Sequence, residues 1–354
     1  MGERLSAGDC IYGDYEVLGV AGVGATSYVY RCQDLRKNRQ VAVKVLHSKF
    51  VFNPLPRGRF LREAELIKSL DCDHVVKIYD IIDAPGTLAF VMEHIDGPTL
   101  LEWQREDPGP RADKELCTVF AGVLNGIGHA HNSGIVHRDL KPANIMLSRG
   151  VDDQPIAKII DFGVARELSA PPDPEDFETI RGTAAYISPD ELRSPHEVCE
   201  ASDLYSLGVM LYELATGERP FSNRPVPEIL QAHLSEAPAR PGSHNPEINP
   251  ALEEVILKSL SKRPEQRFQD ADALRSALDQ AVNVAWEIRT HQWARPTLPP
   301  LSPELKERSA RSFGVVLKET VFGFFKGLFN PGLTGLHNDP HYLNRPYVGF
   351  PGLI

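Results

Sequence analysis

The chain has 354 residues, longer than one typical domain, and 42% of them are hydrophobic, enough for an ordinary globular core. Its formal net charge of −10 argues against a general nucleic-acid binder, which is usually basic. The charge is uneven: residues 282–354 carry eight Lys/Arg against five Asp/Glu, a net of +3, which leaves −13 for residues 1–281.

In chain order, Met1–Cys10 lacks an apolar stretch, so no secretory signal is expected. Tyr15–Leu18, Ser27–Cys32 and Val41–Leu46 are β-branched or aromatic and read as strands, with glycines between the first two. Arg59–Leu70 reads as a helix, with Phe60, Ala64, Ile67 and Leu70 at helical spacing and Pro56 just before it. Val75–Ile82 and Leu88–Met92 read as two further strands, and Ile95-Asp96-Gly97-Pro98 as a turn that separates two lobes. Beyond it the pattern turns helical, at Leu116–His131, Leu204–Ala215, Ile229–His233, Leu252–Leu260 and Ala271–Ala281. Ala170–Asp176, with three prolines among acidic residues, reads as a loop. This order predicts an α+β fold: a β-rich small lobe at 14–95, a helical large lobe at 96–281, a short segment 1–13 before them and an extension 282–354 after.

The five cysteines have no metal-ligand spacing, so reduced thiols and a cytoplasmic location are expected. No apolar run reaches the roughly 20 residues that span a bilayer. In the extension, Phe313, Val316, Leu317, Val321, Phe324, Phe325 and Leu328 keep helical spacing over 313–329, although Gly323 and Gly327 weaken the helix. Three roles are open to it: packing back on the large lobe, lying on the inner face of a membrane, or filling a partner's groove.

The chemistry is concentrated in a few short runs. Gly22-Val23-Gly24-Ala25-Thr26-Ser27 joins two strands, and glycines let a backbone approach phosphates closely. Lys44 ends a Val-Ala-Val-Lys strand and needs an acidic partner, because an unpaired buried ammonium is costly. Glu63, on the first helix, is the candidate. In His137-Arg138-Asp139-Leu140-Lys141-Pro142-Ala143-Asn144, Asp139 can accept a hydrogen bond from an attacking hydroxyl and Lys141 can neutralise phosphoryl charge. Asn144 and Asp161, in Asp161-Phe162-Gly163, offer hard oxygens to Mg2+ or Mn2+.

These runs resemble the protein-kinase signature, and the chain is similar to the eukaryotic-type (Hanks-type) Ser/Thr protein kinases of bacteria over about Tyr15–Gln280. The resemblance implies a bilobal kinase fold, with ATP between the lobes and Ser/Thr hydroxyls of proteins as acceptors. It implies that Gly22, Gly24 and Ser27 cover the phosphates, that Val20, Val29 and Ala42 surround the adenine, and that Lys44 meets the phosphates. Met92, Glu93 and Ile95 fall at the gatekeeper and hinge. Asp139 falls at the catalytic base, Asn144 and Asp161 at the metal ligands, and Thr183 where Ser/Thr kinases bridge the catalytic Asp and Lys. Asp203 is implied to brace the catalytic loop. Ser188-Pro189-Asp190 replaces Ala-Pro-Glu, leaving Asp190 one methylene less with which to reach Arg267, and Tyr205 replaces a frequent tryptophan. Arg138 is implied to receive a phosphate from the activation loop, with Thr179 as the candidate site of autophosphorylation; the alternative is an ordinary loop residue. Two rivals remain, a catalytically silent scaffold of kinase fold and a small-molecule kinase. The first has no need of all five of Lys44, Glu63, Asp139, Asn144 and Asp161, and the second no need of the platform running from Gly182 to Pro189.

Overall fold

The computed structural model describes residues 4–150, 154–162, 166–167, 184–194 and 198–288. The expectations for Gly163, Thr179, Thr183, the loop 170–176 and the helix 313–329 lie outside the described residues.

Alternating apolar side chains build a six-stranded antiparallel sheet from β1 (Cys10–Ile11), β2 (Tyr15–Val23), β3 (Ser27–Asp34), β4 (Arg39–Leu46), β5 (Ile78–Ala84) and β6 (Thr87–Glu93), ordered β1-β2-β3-β4-β6-β5. Because side chains alternate across a strand, Val41 and Val43 enter one small core with Val17, Tyr30 and Val91. Ala42 and Lys44 face the other way, toward α1 (Pro54–Ser69). Strand β2 is longer than the expected 15–18. It runs through Gly19 and Gly22, with register shifts between Val17 and Gly19 and between Val20 and Gly22, where glycine tolerates the irregularity.

Helix α1 also starts earlier than Arg59. The Asn53 side chain accepts a hydrogen bond from the Leu55 N–H, and Pro54 occupies the first turn, where its missing N–H costs nothing. Phe60, Glu63, Ala64, Leu66 and Ile67 form its buried face, and the Phe60 ring lies 4.9 Å from that of Phe90 on β6.

The connection out of β6 is tight. A Cβ at Gly97 would sit 1.9 Å from the Leu147 carbonyl oxygen, so only glycine fits where the chain crosses to the helical lobe. The Leu147 N–H then donates to the Pro98 carbonyl (2.9 Å). Helix α2 (Leu100–Glu106) follows, started by a reciprocal capping box between Thr99 and Glu102. This helix was not expected from the sequence. Long helix α3 (Asp113–Asn132) packs against α8 (Ala271–Ile288) and the hairpin of β8 (Ile145–Arg149) and β9 (Pro155–Ile159). Between them, β7 (Ile135–Val136) pairs with β10 (Arg166–Glu167).

The short helix α4 (Pro189–Arg193) leads to α5 (Glu200–Thr216), which is buried from Ser202 to Thr216 as its apolar sequence requires. Gly217 ends it in the left-handed conformation (φ 79°). Helices α6 (Val226–Ser235) and α7 (Pro250–Ser259) complete the lobe. Helix α8 runs on to Ile288, past the expected boundary at 281. No described helix is long and apolar enough to cross a membrane.

Candidate active site

Strand β4 and helix α1 bring the first pair together. Lys44 Nζ lies 2.5 Å from Glu63 Oε1 and 3.6 Å from Asp161 Oδ1, with Glu63 buried and Asp161 partly exposed. Burial alone disfavours the Lys44 ammonium, but the carboxylates of Asp161 and Glu63 outweigh it and hold its pKa above the usual lysine value. Lys44 is therefore a fixed cation beside a partly exposed carboxylate.

The second cluster sits on the turn between β7 and β8. Lys141 Nζ lies 2.6 Å from Asp139 Oδ2. The Asn144 amide nitrogen donates to the Asp139 carbonyl oxygen (2.8 Å) and to Asp139 Oδ2 (3.3 Å). With its nitrogen so committed, the Asn144 amide oxygen is the atom left for a cation. Asp161 follows β9, whose register with β8 pairs Ile145 with Ile159 and so places Asn144 near Asp161. The Ile160 N–H donating to the Asn144 carbonyl (3.0 Å) fixes the same approach.

The turn itself is braced from below. Asp203 on α5 is fully buried and accepts hydrogen bonds from the His137 N–H (2.8 Å) and the Arg138 N–H (2.9 Å), as expected of a brace. It also lies 2.8 Å from His131 Nε2. Burial opposes its ionisation, but the bonds from His131 and His137 hold its carboxyl below the usual range. For His137, by contrast, burial itself lowers the pKa. That imidazole accepts the Asp139 N–H at Nδ1 (3.2 Å) and packs its ring 4.6 Å from Phe162. Asp190, despite its shorter side chain, reaches buried Arg267 at 2.5 Å.

The apolar positions expected around a base are set by strand register. Ala42 faces Met92 across β4 and β6, and on β2 and β3 Val20 pairs with Tyr30 and Gly22 with Val29, across a register shift. Ala42, Met92 and Ile95 are buried, while Val20 and Val29 are half-buried against the cores. The Gly24 N–H donates to the Ser27 carbonyl (2.8 Å), which closes the turn between β2 and β3. Glu93 carries something the sequence did not reveal. Its carboxylate accepts two hydrogen bonds from Lys158 Nζ on β9 (2.8 and 2.9 Å), an ion pair tying the strand that ends at the hinge to the helical lobe. A lysine three residues before Asp161 is the only local hint, and nothing in the sequence names its partner.

The groups fit a nucleotide and a divalent cation: a fixed ammonium for phosphate, a carboxylate and an amide oxygen for a hard metal, and apolar side chains for a base. Among the described residues no three His, Cys, Asp or Glu side chains converge on a metal site. A cation here would therefore take much of its shell from phosphate oxygens and water.

Comparison with known proteins agrees with this geometry. The protein kinase domain family matches residues 15–286. The chain is 35% identical over 300 residues to the serine/threonine-protein kinase PknB of Mycolicibacterium smegmatis, covering 83% of this chain and 46% of that one. It is 33% identical over 284 residues to PrkC of Bacillus subtilis, covering 80% and 42%. The chain thus spans less than half the length of these relatives. The kinase domain of PknI from Mycobacterium tuberculosis superposes with a TM-score of 0.59 at 23% identity, covering 78% of this chain and 100% of that one, a likeness of fold. Such a domain works with ATP and a divalent cation. A family match across most of the chain, on the fold and residue clusters described above, has one meaning: the chain belongs to the protein kinase domain family, among its bacterial serine/threonine-type members.

Proposed function

We propose that this chain transfers the γ-phosphoryl group of ATP to Ser and Thr hydroxyls of protein substrates, with Mg2+ or Mn2+ as the cation. The observation that carries the reading is the convergence of Glu63 and Asp161 on Lys44 Nζ, at 2.5 and 3.6 Å, with Asp139, Lys141 and Asn144 grouped on the turn between β7 and β8.

In this reading Asp139 orients the acceptor hydroxyl and takes its proton. Lys141, already at 2.6 Å from Asp139, meets the charge that develops on the transferred group. Lys44, kept in place by Glu63, holds the nucleotide's phosphates. Gly22, Gly24 and Ser27 cover them, while Val20, Val29, Ala42, Met92, Glu93 and Ile95 enclose the adenine. Asn144 and Asp161 would hold the cation, which neutralises phosphate charge when bound. The protein's share is positioning and electrostatics, so most of the rate rests on groups held rigidly before substrate arrives. Autophosphorylation at Thr179 belongs to the same proposal. So does a cytoplasmic location, where ATP is abundant and the free cysteines stay reduced.

The test is incubation of the purified chain with Mg-ATP and, in parallel, a generic protein acceptor and sugar or amine acceptors. Label on protein Ser and Thr, abolished by Asp139→Asn, supports the proposal. Label only on small acceptors, or none on any, refutes it.

A further inference from the structure

Arg138 has a second anchor besides Asp203. Its Nε donates to Glu191 Oε1 at 3.3 Å, and both side chains are almost wholly enclosed, at 2% and 4% exposure. Its backbone takes φ 68°, a region L side chains rarely adopt, so the surroundings must hold it there. One carboxylate, Asp203, holds the backbone N–H, and another, Glu191, holds the guanidinium. Asp139 is the next residue in the chain.

Glu191 is itself rigidly placed. It lies in the first turn of α4, where the Ser188 hydroxyl accepts its N–H (3.2 Å). Its neighbour Asp190 is locked to Arg267, which also bonds the Ala201 carbonyl (2.8 Å). Burial raises the Glu191 carboxyl and the nearby Asp203 and Asp139 add to the rise, so that even with Arg138 pulling the other way it stands at about 8. The guanidinium is thus the contact that favours Glu191 in its charged form.

We propose that Glu191 is a positioning residue that uses its own carboxylate to hold Arg138, and through it the turn carrying Asp139, so that the catalytic turn is aligned without a phosphate on the preceding segment. This rests on the kinase reading above and adds a consequence to it. A phosphate brought to Arg138 meets an arginine already engaged by a buried acid, and must share it or displace it. Basal transfer therefore does not wait for phosphorylation.

The experiment uses the full chain, treated with phosphatase and assayed for initial rates on a protein acceptor. Wild type is compared with Glu191→Gln and Glu191→Asp, and each variant's melting point is recorded. Glu191→Gln keeps shape and loses charge. It should lower kcat about tenfold or more while leaving the KM for ATP within about twofold, with Glu191→Asp falling between it and wild type. Folded Glu191→Gln with unchanged kcat, or equal losses in both variants, overturns the proposal. A test without variants covers the case in which neither variant folds. Phosphatase-treated wild type should keep at least about a third of the rate of protein preincubated with Mg-ATP, and a loss beyond about tenfold overturns the proposal. Wild type inactive in both states sinks the kinase reading and this inference with it, whereas active wild type beside an indifferent Glu191→Gln sinks this inference alone.

Discussion

Replacing Asp203 by Asn tests how the turn between β7 and β8 is built. The carboxylate accepts two backbone N–H groups at 2.8 and 2.9 Å in a site of 1% exposure, so both bonds are charge-assisted and shielded from water. Each is worth about 2 kcal/mol in such a setting. Asparagine keeps one acceptor, worth about 1 kcal/mol as a neutral bond, and turns an NH2 against the other donor. The expected loss is therefore about 3 kcal/mol, or a fall in melting temperature of roughly 6–12 °C for a domain of this size. The pH dependence gives a second handle. The folded Asp203 carboxyl lies below its ordinary value, so its contribution is fully present above the unfolded pKa and is lost as pH falls through the folded one. The gap between wild type and Asp203→Asn should thus be constant from pH 5 to 8 and narrow only below about 3.9. Thermal melts across that range measure it. An unchanged melting point at pH 7, or a gap that closes near neutrality, would refute the reasoning.

Other consequences follow from the same contacts. Gly97→Ala places a Cβ against the Leu147 carbonyl at a distance no side chain tolerates, so the backbone must shift at the lobe junction. It should cost about 1–3 kcal/mol in urea unfolding and raise the KM for ATP. Lys158→Met removes both hydrogen bonds to Glu93 and leaves a half-buried carboxylate without its cation. It should destabilise by about 1–3 kcal/mol, and adding Glu93→Gln should recover part of that loss, a coupling a double-mutant cycle in melts would read. Asp190→Asn leaves Arg267 buried without its carboxylate, at a cost of about 3–5 kcal/mol in the same unfolding assay. An Asp190→Asn protein as stable as wild type would mean the pair is idle.

Where sequence and structure agree, the reason is local. Val41–Leu46 alternates toward two cores and is a strand, and the apolar run Leu204–Ala215 lies within a buried helix, because each pattern specifies its burial directly. The cluster of Asp139, Lys141 and Asn144 was legible because the three lie within six positions on one turn. The start of α1 was misplaced because Pro56 reads as a boundary, whereas proline is tolerated in a first turn capped by Asn53. Helix α2 has its own signal, Thr99 three residues before Glu102, masked by the adjoining Gly97-Pro98 turn. Glu93 with Lys158 and Arg138 with Glu191 lie 65 and 53 residues apart, and no periodicity links positions that only the tertiary fold brings together. Lys44 with Glu63 was legible across 19 residues because a lysine in a buried strand demands an acid and the next helix offers one.

The most direct trial of the account separates binding from transfer in one variant. Asp139→Asn keeps the Lys44, Glu63 and Asp161 contacts, so it should bind Mg-ATP with a Kd within about threefold of wild type while transferring phosphate to protein acceptors some 10²–10⁴ times more slowly. A wild-type chain that never labels protein, or an Asp139→Asn chain that labels it at the wild-type rate, would contradict the central claim.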